Sequence, residues 1–201
     1  MFNSHNKNFS VQFLYMSVAL ATQLREGTKK SHTMAENTGF VSCFLKGVVD
    51  KATYIKLLSD LYFVYSAMED EITNLDQAGH PVISKINFTE LDRRKTLEMD
   101  LAYFYGDEWL NNIEISKSGQ AYVERIKAIA RDNPSLLVGH HYTRYIGDIS
   151  GGQILKRIAK NAMNLTDKDG LRFYEFDKIP NEKEFKIKYS KVLNSLPIDQ
   201  A

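Results

Sequence analysis

The chain has 201 residues, 43% of them apolar and 25% charged, the balance of a single soluble globular domain rather than of a disordered or membrane-embedded chain. Lysine and arginine number 26 against 25 aspartates and glutamates, a net charge of +1, so no global field recruits nucleic acid or an acidic membrane, and any charged partner must be met by a local patch. The one cysteine, Cys43 in VSCFL, rules out an internal disulfide; its apolar neighbours predict a buried thiol in a reducing compartment.

The first segment carries an apolar run from Val11 to Ala21 that ends in Ala-Leu-Ala. Only Lys7 supplies positive charge ahead of it, and the run leads directly into a helical pattern. It is therefore read as the start of a domain rather than a secretory leader, with residues 1–15 an appended arm, residues 16–201 the domain, and Ser17 capping a first helix that reaches Glu36. No run of eighteen apolar residues occurs to span a bilayer. Asp50 is placed to cap a long amphipathic helix in which Tyr54, Leu57, Leu58, Leu61, Tyr65, Met68 and Ile72 recur at helical spacing. AGHPVIS interrupts the pattern. TELDRRKTLEMDLAYFYG and SGQAYVERIKAIARDN predict further helices. Asn133 followed by Pro134 starts another, with a pattern that runs to about Met163. NLTDKDGLRFYEFDKIP lacks periodicity and predicts a loop; Asn181 restarts a helix that Pro197 closes. No strand alternation or repeat competes, so the expected fold is all-α, a single-domain bundle of about seven or eight helices.

One stretch resists this pattern. GDISGG, residues 147–152, puts three glycines into six positions of a helix, where each costs roughly 1 kcal/mol against alanine. Gly147 and Gly151 are four apart and share a face, which leaves a strip of bare backbone. Such a strip serves either close helix packing or the approach of a flat, rigid ligand. Asp148 stands beside it, with Arg144 four residues earlier as a natural partner; an aspartate there could order water and pass protons without touching a reacting atom. His32 has Glu36 one turn on and Arg25, Lys29 and Lys30 around it, the setting of a neutral imidazole ligand with a carboxylate acceptor behind it. No zinc, P-loop or dinucleotide motif is present, nor the repeated Glu-x-x-His of a di-iron bundle.

QLREGTKKSHTMAE and HHYTRYIGDISGGQILKRIAK together resemble heme oxygenase, in particular the soluble bacterial and plastid type, over about Met16 to Leu196. The resemblance implies heme sandwiched between a proximal helix, with His32 as iron ligand and Glu36 as its hydrogen-bonding neighbour, and a distal helix that presses Gly147 and Gly151 against the macrocycle. It implies a proton-relaying water network on Asp148, Arg144, Tyr65 and Tyr122, and propionate anchors at Arg25, Tyr142 and Lys186. Heme is then both cofactor and substrate, cleaved with O2 and electrons at the α-meso carbon to biliverdin, CO and ferrous iron. Ferredoxin is the implied electron donor, a bilin reductase the implied consumer of the product, and the cytoplasm the implied location, without membrane or nucleic acid. A non-catalytic heme carrier or sensor of the same fold is the competing expectation. Members of the family often carry arginine where this chain has Ser190, with Lys191 beside it, and many continue with a further helix or a membrane anchor, so the sequence resembles a short form. A basic patch for an acidic donor is expected from Arg25, Lys29, Lys30, Lys156 and Arg157.

Overall fold

A computed structural model describes residues 19–166 and 168–198. Residues 1–15, Met16 and Ser17 lie outside the described residues, so the expected arm and the expected Ser17 cap are not part of this description. The chain is helical throughout, with no strand among the described residues. The order is α1 (Leu20–Glu36), α2 (Gly39–Leu45), α3 (Lys51–Gln77), α4 (Arg94–Tyr105), α5 (Lys117–Asp132), α6 (Leu137–His141), α7 (Gly147–Met163) and α8 (Glu182–Asn194), with short 3-10 turns in several of the connections.

The long helix α3 is the axis of the molecule. Asp50 caps it by accepting from the Thr53 backbone N–H at 2.8 Å, and Tyr54, Leu58, Tyr65 and Met68 on its inner face are fully buried. It packs along α4 and α5. The start of α5 is fastened to it by Asp60, whose carboxylate accepts from the Ser116 N–H at 2.8 Å and the Ser116 hydroxyl at 2.7 Å. The approach is close enough that a Cβ on Gly119 would come within 2.5 Å of the Asp60 carboxylate.

Four expectations change in the structure. The helix expected over residues 89–106 is a 3-10 turn, Thr89–Leu91, followed by α4. The break is stable because Glu69 of α3 accepts from the N–H groups of Arg93 and Arg94, at 2.6 and 3.1 Å, and so caps α4 from a neighbouring helix. GFVSCFL forms the short helix α2, which was not anticipated; it buries Phe44 and leaves Cys43 exposed. Cys43 is therefore not a core thiol, because the inward position of this short helix is taken by the next residue. The pattern from Pro134 to Met163 is continuous as expected, but Tyr142–Ile146 is a π-helical turn between α6 and α7. The segment before α8 is a loop holding one 3-10 turn, Arg172–Tyr174.

Candidate heme site

The π turn and the first two turns of α7 carry most of the expected site. A π turn widens the helix by one residue and is frequent at functional sites; here it contains Tyr142 and Arg144 and delivers the chain into Gly147 in ordinary helical geometry, φ −61° and ψ −49°. A Cβ built on Gly147 or on Gly151 would meet nothing within 4 Å. Helix packing therefore does not demand glycine at either position, and the strip is open backbone. Gly152 behaves differently. It is buried, and a Cβ there would lie 3.3 Å from Tyr174 Cδ1, so it lets the Arg172–Tyr174 turn close on the inner side of α7. Gln153 Nε2 holds that turn by donating to the Tyr174 carbonyl at 2.9 Å.

Asp148 points inward, with a side chain 11% exposed. The Tyr65 hydroxyl of α3 donates to its Oδ2, and Arg144 Nη2 lies 4.0 Å from its Oδ1. Burial raises the Asp148 pKa above the usual aspartate value, opposed by the Arg144 charge, the Tyr65 hydrogen bond and the charge of Arg93. Burial likewise holds the Tyr65 phenol well above its ordinary pKa, so Tyr65 is a donor at neutral pH. Tyr65 first, and Asp148 after it, hold Arg144 firmly protonated. Tyr122 of α5 is half-buried and pairs with His140 at 3.1 Å; it stands within the fields of Arg144 and Asp148 rather than in contact with them. The structure thus brings Tyr65, Arg144 and Asp148 together and sets Tyr122 beside them.

The first helix, α1, buries none of its residues. It is tied to α8 by the Ala21 N–H, which donates to Asn194 Oδ1 at 3.0 Å, while α2 packs against α7. His32 is 73% exposed, and its Nδ1 faces Glu36 Oε2 at 3.5 Å, which leaves Nε2 outward, as a ligating imidazole requires. Of the expected anchors, Arg25 and Tyr142 are near enough that the Arg25 charge acts on the phenol. Lys186 instead reaches Ser150 at 3.5 Å, one residue from Gly151. The basic patch is less free than the sequence predicted, since Arg25 and Lys29 pair with Glu26 and Lys156 pairs with Glu175.

The heme oxygenase family profile matches residues 18–201. The chain is 60% identical over 186 residues to heme oxygenase 1 of Synechocystis sp., covering 92% of this chain and 76% of that protein. The chain belongs to the heme oxygenase family. Heme oxygenase of Porphyra purpurea is 55% identical over 183 residues, covering 91% of this chain and 77% of that protein. The structure of heme oxygenase-1 from the cyanobacterium Synechocystis in complex with heme superposes with a TM-score of 0.87 at 59% identity, covering 91% of this chain and 81% of that one. No helix among the described residues of this heme oxygenase is long and apolar enough to cross a membrane.

Three ionisable side chains are buried without any mark in the sequence, each at most 4% exposed: Arg93, Asp100 and His141. Asp100 accepts from the N–H groups of Arg172 and Phe173, both at 2.8 Å, and burial pushes its pKa up to about 7. His141 Nδ1 pairs with the Tyr189 hydroxyl at 2.7 Å, joining α6 to α8, and burial drives its pKa down to about 3. Charged letters in a helical pattern carry no mark of which will be buried; the one available signal was the run RFYEF, whose aromatic density marks a loop that must pack inward.

Proposed function

We propose that this chain binds heme between α1 and the glycine strip of α7 and cleaves it at the α-meso carbon to biliverdin, CO and ferrous iron. The observation that carries the reading is the pairing, on one turn of α7, of backbone open at Gly147 and Gly151 with an inward Asp148 held by Tyr65. The residues present fit the group: a flat macrocycle needs a side-chain-free surface, and His32, held by Glu36, offers an imidazole nitrogen to iron. Heme supplies the redox chemistry and the oxygen-binding metal.

The protein's own residues supply position and protons. His32 binds the iron, with Glu36 fixing its tautomer. Gly147 and Gly151 would let backbone lie against the macrocycle and add no acidic side chain to that face. Asp148, kept in place by Tyr65 and Arg144 and flanked by Tyr122, orders water and relays protons indirectly. Arg25, Tyr142 and Lys186 hold the propionates; Ser190 adds no charge there. Arg25, Lys29, Lys30 and Arg157 offer a basic surface to an acidic donor such as ferredoxin. A bilin reductase would consume the product. A ferredoxin donor and the one free cysteine suit a reducing compartment such as the cytoplasm.

Hemin titration should give a Soret band of a histidine-ligated heme; no band refutes heme binding. Reduced ferredoxin, its reductase and NADPH should then replace that band with bile-pigment absorption. Persistence of bound heme would select the carrier.

A further inference from the structure

A second cation acts on Asp148 from outside the segment that carries it. Arg93, just ahead of α4, is 4% exposed. Its guanidinium donates to the carbonyls of Leu91 at 2.8 Å and Phe173 at 3.1 Å and to that of Glu175, and it lies over the Phe176 ring at 3.9 Å. Its backbone N–H is taken by Glu69. Among the described residues the guanidinium donates to no carboxylate. A buried cation satisfied by neutral carbonyls alone carries a desolvation penalty that some negative charge must offset. Of the carboxylates whose charge acts on it, Asp148 comes first, ahead of Glu69. The same residue is also mechanically linked to the relay. The Phe173 whose carbonyl it holds packs its ring edge-on to Tyr65, centroids 5.6 Å apart, and Tyr65 donates to Asp148.

We propose that Arg93 is a positioning residue of the proton relay, fixing the place and the charge of the Asp148 carboxylate through Phe173 and Tyr65 without touching it. Arg144 approaches Asp148 from its own helix, Tyr65 from α3, Tyr122 from α5 and Tyr174 from the turn before α8, with Tyr145 adjacent. Arg93 is the only cation of this set outside the segment that carries Asp148. A shift of the π turn that moved Arg144 would therefore leave Arg93 in place as a counter-charge, which matters in a segment whose π geometry is locally weaker than a regular helix.

The inference rests on the relay reading of Asp148, and its titration is made without heme so that the two fail separately. The Asp148 carboxyl is titrated by carbon NMR in the heme-free protein, with its resonance assigned through Asp148→Asn. Arg93→Gln removes the charge but keeps an amide donor for the carbonyls; it should move the Asp148 midpoint upward. Asp100→Asn loosens the same 172–174 turn from the other side while leaving the Arg93 charge intact; it should lower the melting temperature and leave the Asp148 midpoint where it is. An unmoved midpoint in Arg93→Gln, or an equal shift in Asp100→Asn, overturns the proposal. Arg93→Lys decides the matter independently if the glutamine variant does not fold. Its ammonium keeps a charge but not the fork, so a midpoint on the wild-type side with a reduced biliverdin yield on heme loading is expected; wild-type yield in that variant overturns the positioning role. Unchanged biliverdin yield in Asp148→Asn would instead remove the relay reading itself.

Discussion

Gly147 and Gly151 provide a test in which stability and function are expected to move in opposite directions. Gly147 has ordinary helical dihedrals, and a Cβ on either glycine meets nothing within 4 Å. Nothing in the heme-free protein therefore opposes alanine. Alanine should recover the helix propensity that glycine forgoes, about 1 kcal/mol per site, in part by narrowing the unfolded ensemble. The double variant should gain about 2 kcal/mol, or roughly 4–8 °C in melting temperature for a chain of this size. Gly152→Ala is the internal control. Its Cβ would stand 3.3 Å from Tyr174, itself 2% exposed and unable to retreat, so the propensity gain should be cancelled or reversed. Thermal and urea unfolding of heme-free protein measure this part. Hemin titration and product analysis measure the other, where Gly147→Ala and Gly151→Ala should weaken heme binding or lower the biliverdin yield by intruding on the ligand surface. Destabilisation by Gly147→Ala would show that the strip is not open. Stabilisation with unaltered binding and yield would show that the glycines do not serve the ligand.

His141 is held neutral in the fold, with a pKa near 3, while in the unfolded chain it titrates near 6.5; below that pH only the unfolded state takes up the proton, so its contribution to stability is full at high pH and falls as the solution is acidified. His141→Gln should flatten that acid slope, changing the difference from wild type by about 2 kcal/mol between pH 8 and 5 in urea unfolding; parallel curves would refute it. Glu69 acts with the opposite sign. Burial raises its pKa to about 7, so its contribution is present below the unfolded value near 4.5 and lost as pH rises through 7. Both N–H groups that it caps go to Oε1, an atom that glutamine retains. Glu69→Gln should therefore gain on wild type by up to about 3 kcal/mol between pH 4.5 and 8; a constant difference would refute the burial argument. His32→Ala should lose the axial imidazole signature of the heme complex, with exogenous imidazole restoring it. Asp148→Ala should retain heme binding and lose biliverdin yield, checked by the Soret titration and by pigment analysis.

The parts of the molecule that were legible beforehand are those decided by local rules. Asp50 and Asn181 cap helices with their own side chains, Pro134 opens the helical run that ends at Met163, and the i, i+4 pairs His32 with Glu36 and Arg144 with Asp148 both form. Tyr65 is 83 residues from Asp148, and its place at the site came only through resemblance to a family. The short helix α2 spans 7 residues, too few for periodicity to register. The π turn was invisible for a different reason: it changes the winding of YTRYI without any demand on composition. Nothing in the helical pattern singles out Glu69, Arg93 and Asp100, since charged side chains on helices are mostly solvated. Arg93 and Asp100 are covered by residues 172–176 of the aperiodic loop, a segment that propensity describes only as not helical.

That loop explains why a helix weakened by glycines stays in one place. Local propensity does little to hold α7 at Gly147–Gly152, so its position must come from contacts on the opposite side. The Arg172–Tyr174 turn provides them: Tyr174 closes on Gly152, its carbonyl receives Gln153, and Glu175 pairs with Lys156. The turn is in turn fixed by α4, through Asp100 on its N–H groups and Arg93 on its carbonyls. Asp100 thus grips the N–H groups of residues 172 and 173 and Arg93 the carbonyls of residues 173 and 175, so the turn is held from both of its ends, which sets its orientation as well as its distance. Rigidity supplied from behind leaves the front of α7 free to be bare backbone, and the third glycine, which bears no relation to the ligand face, is what admits the support.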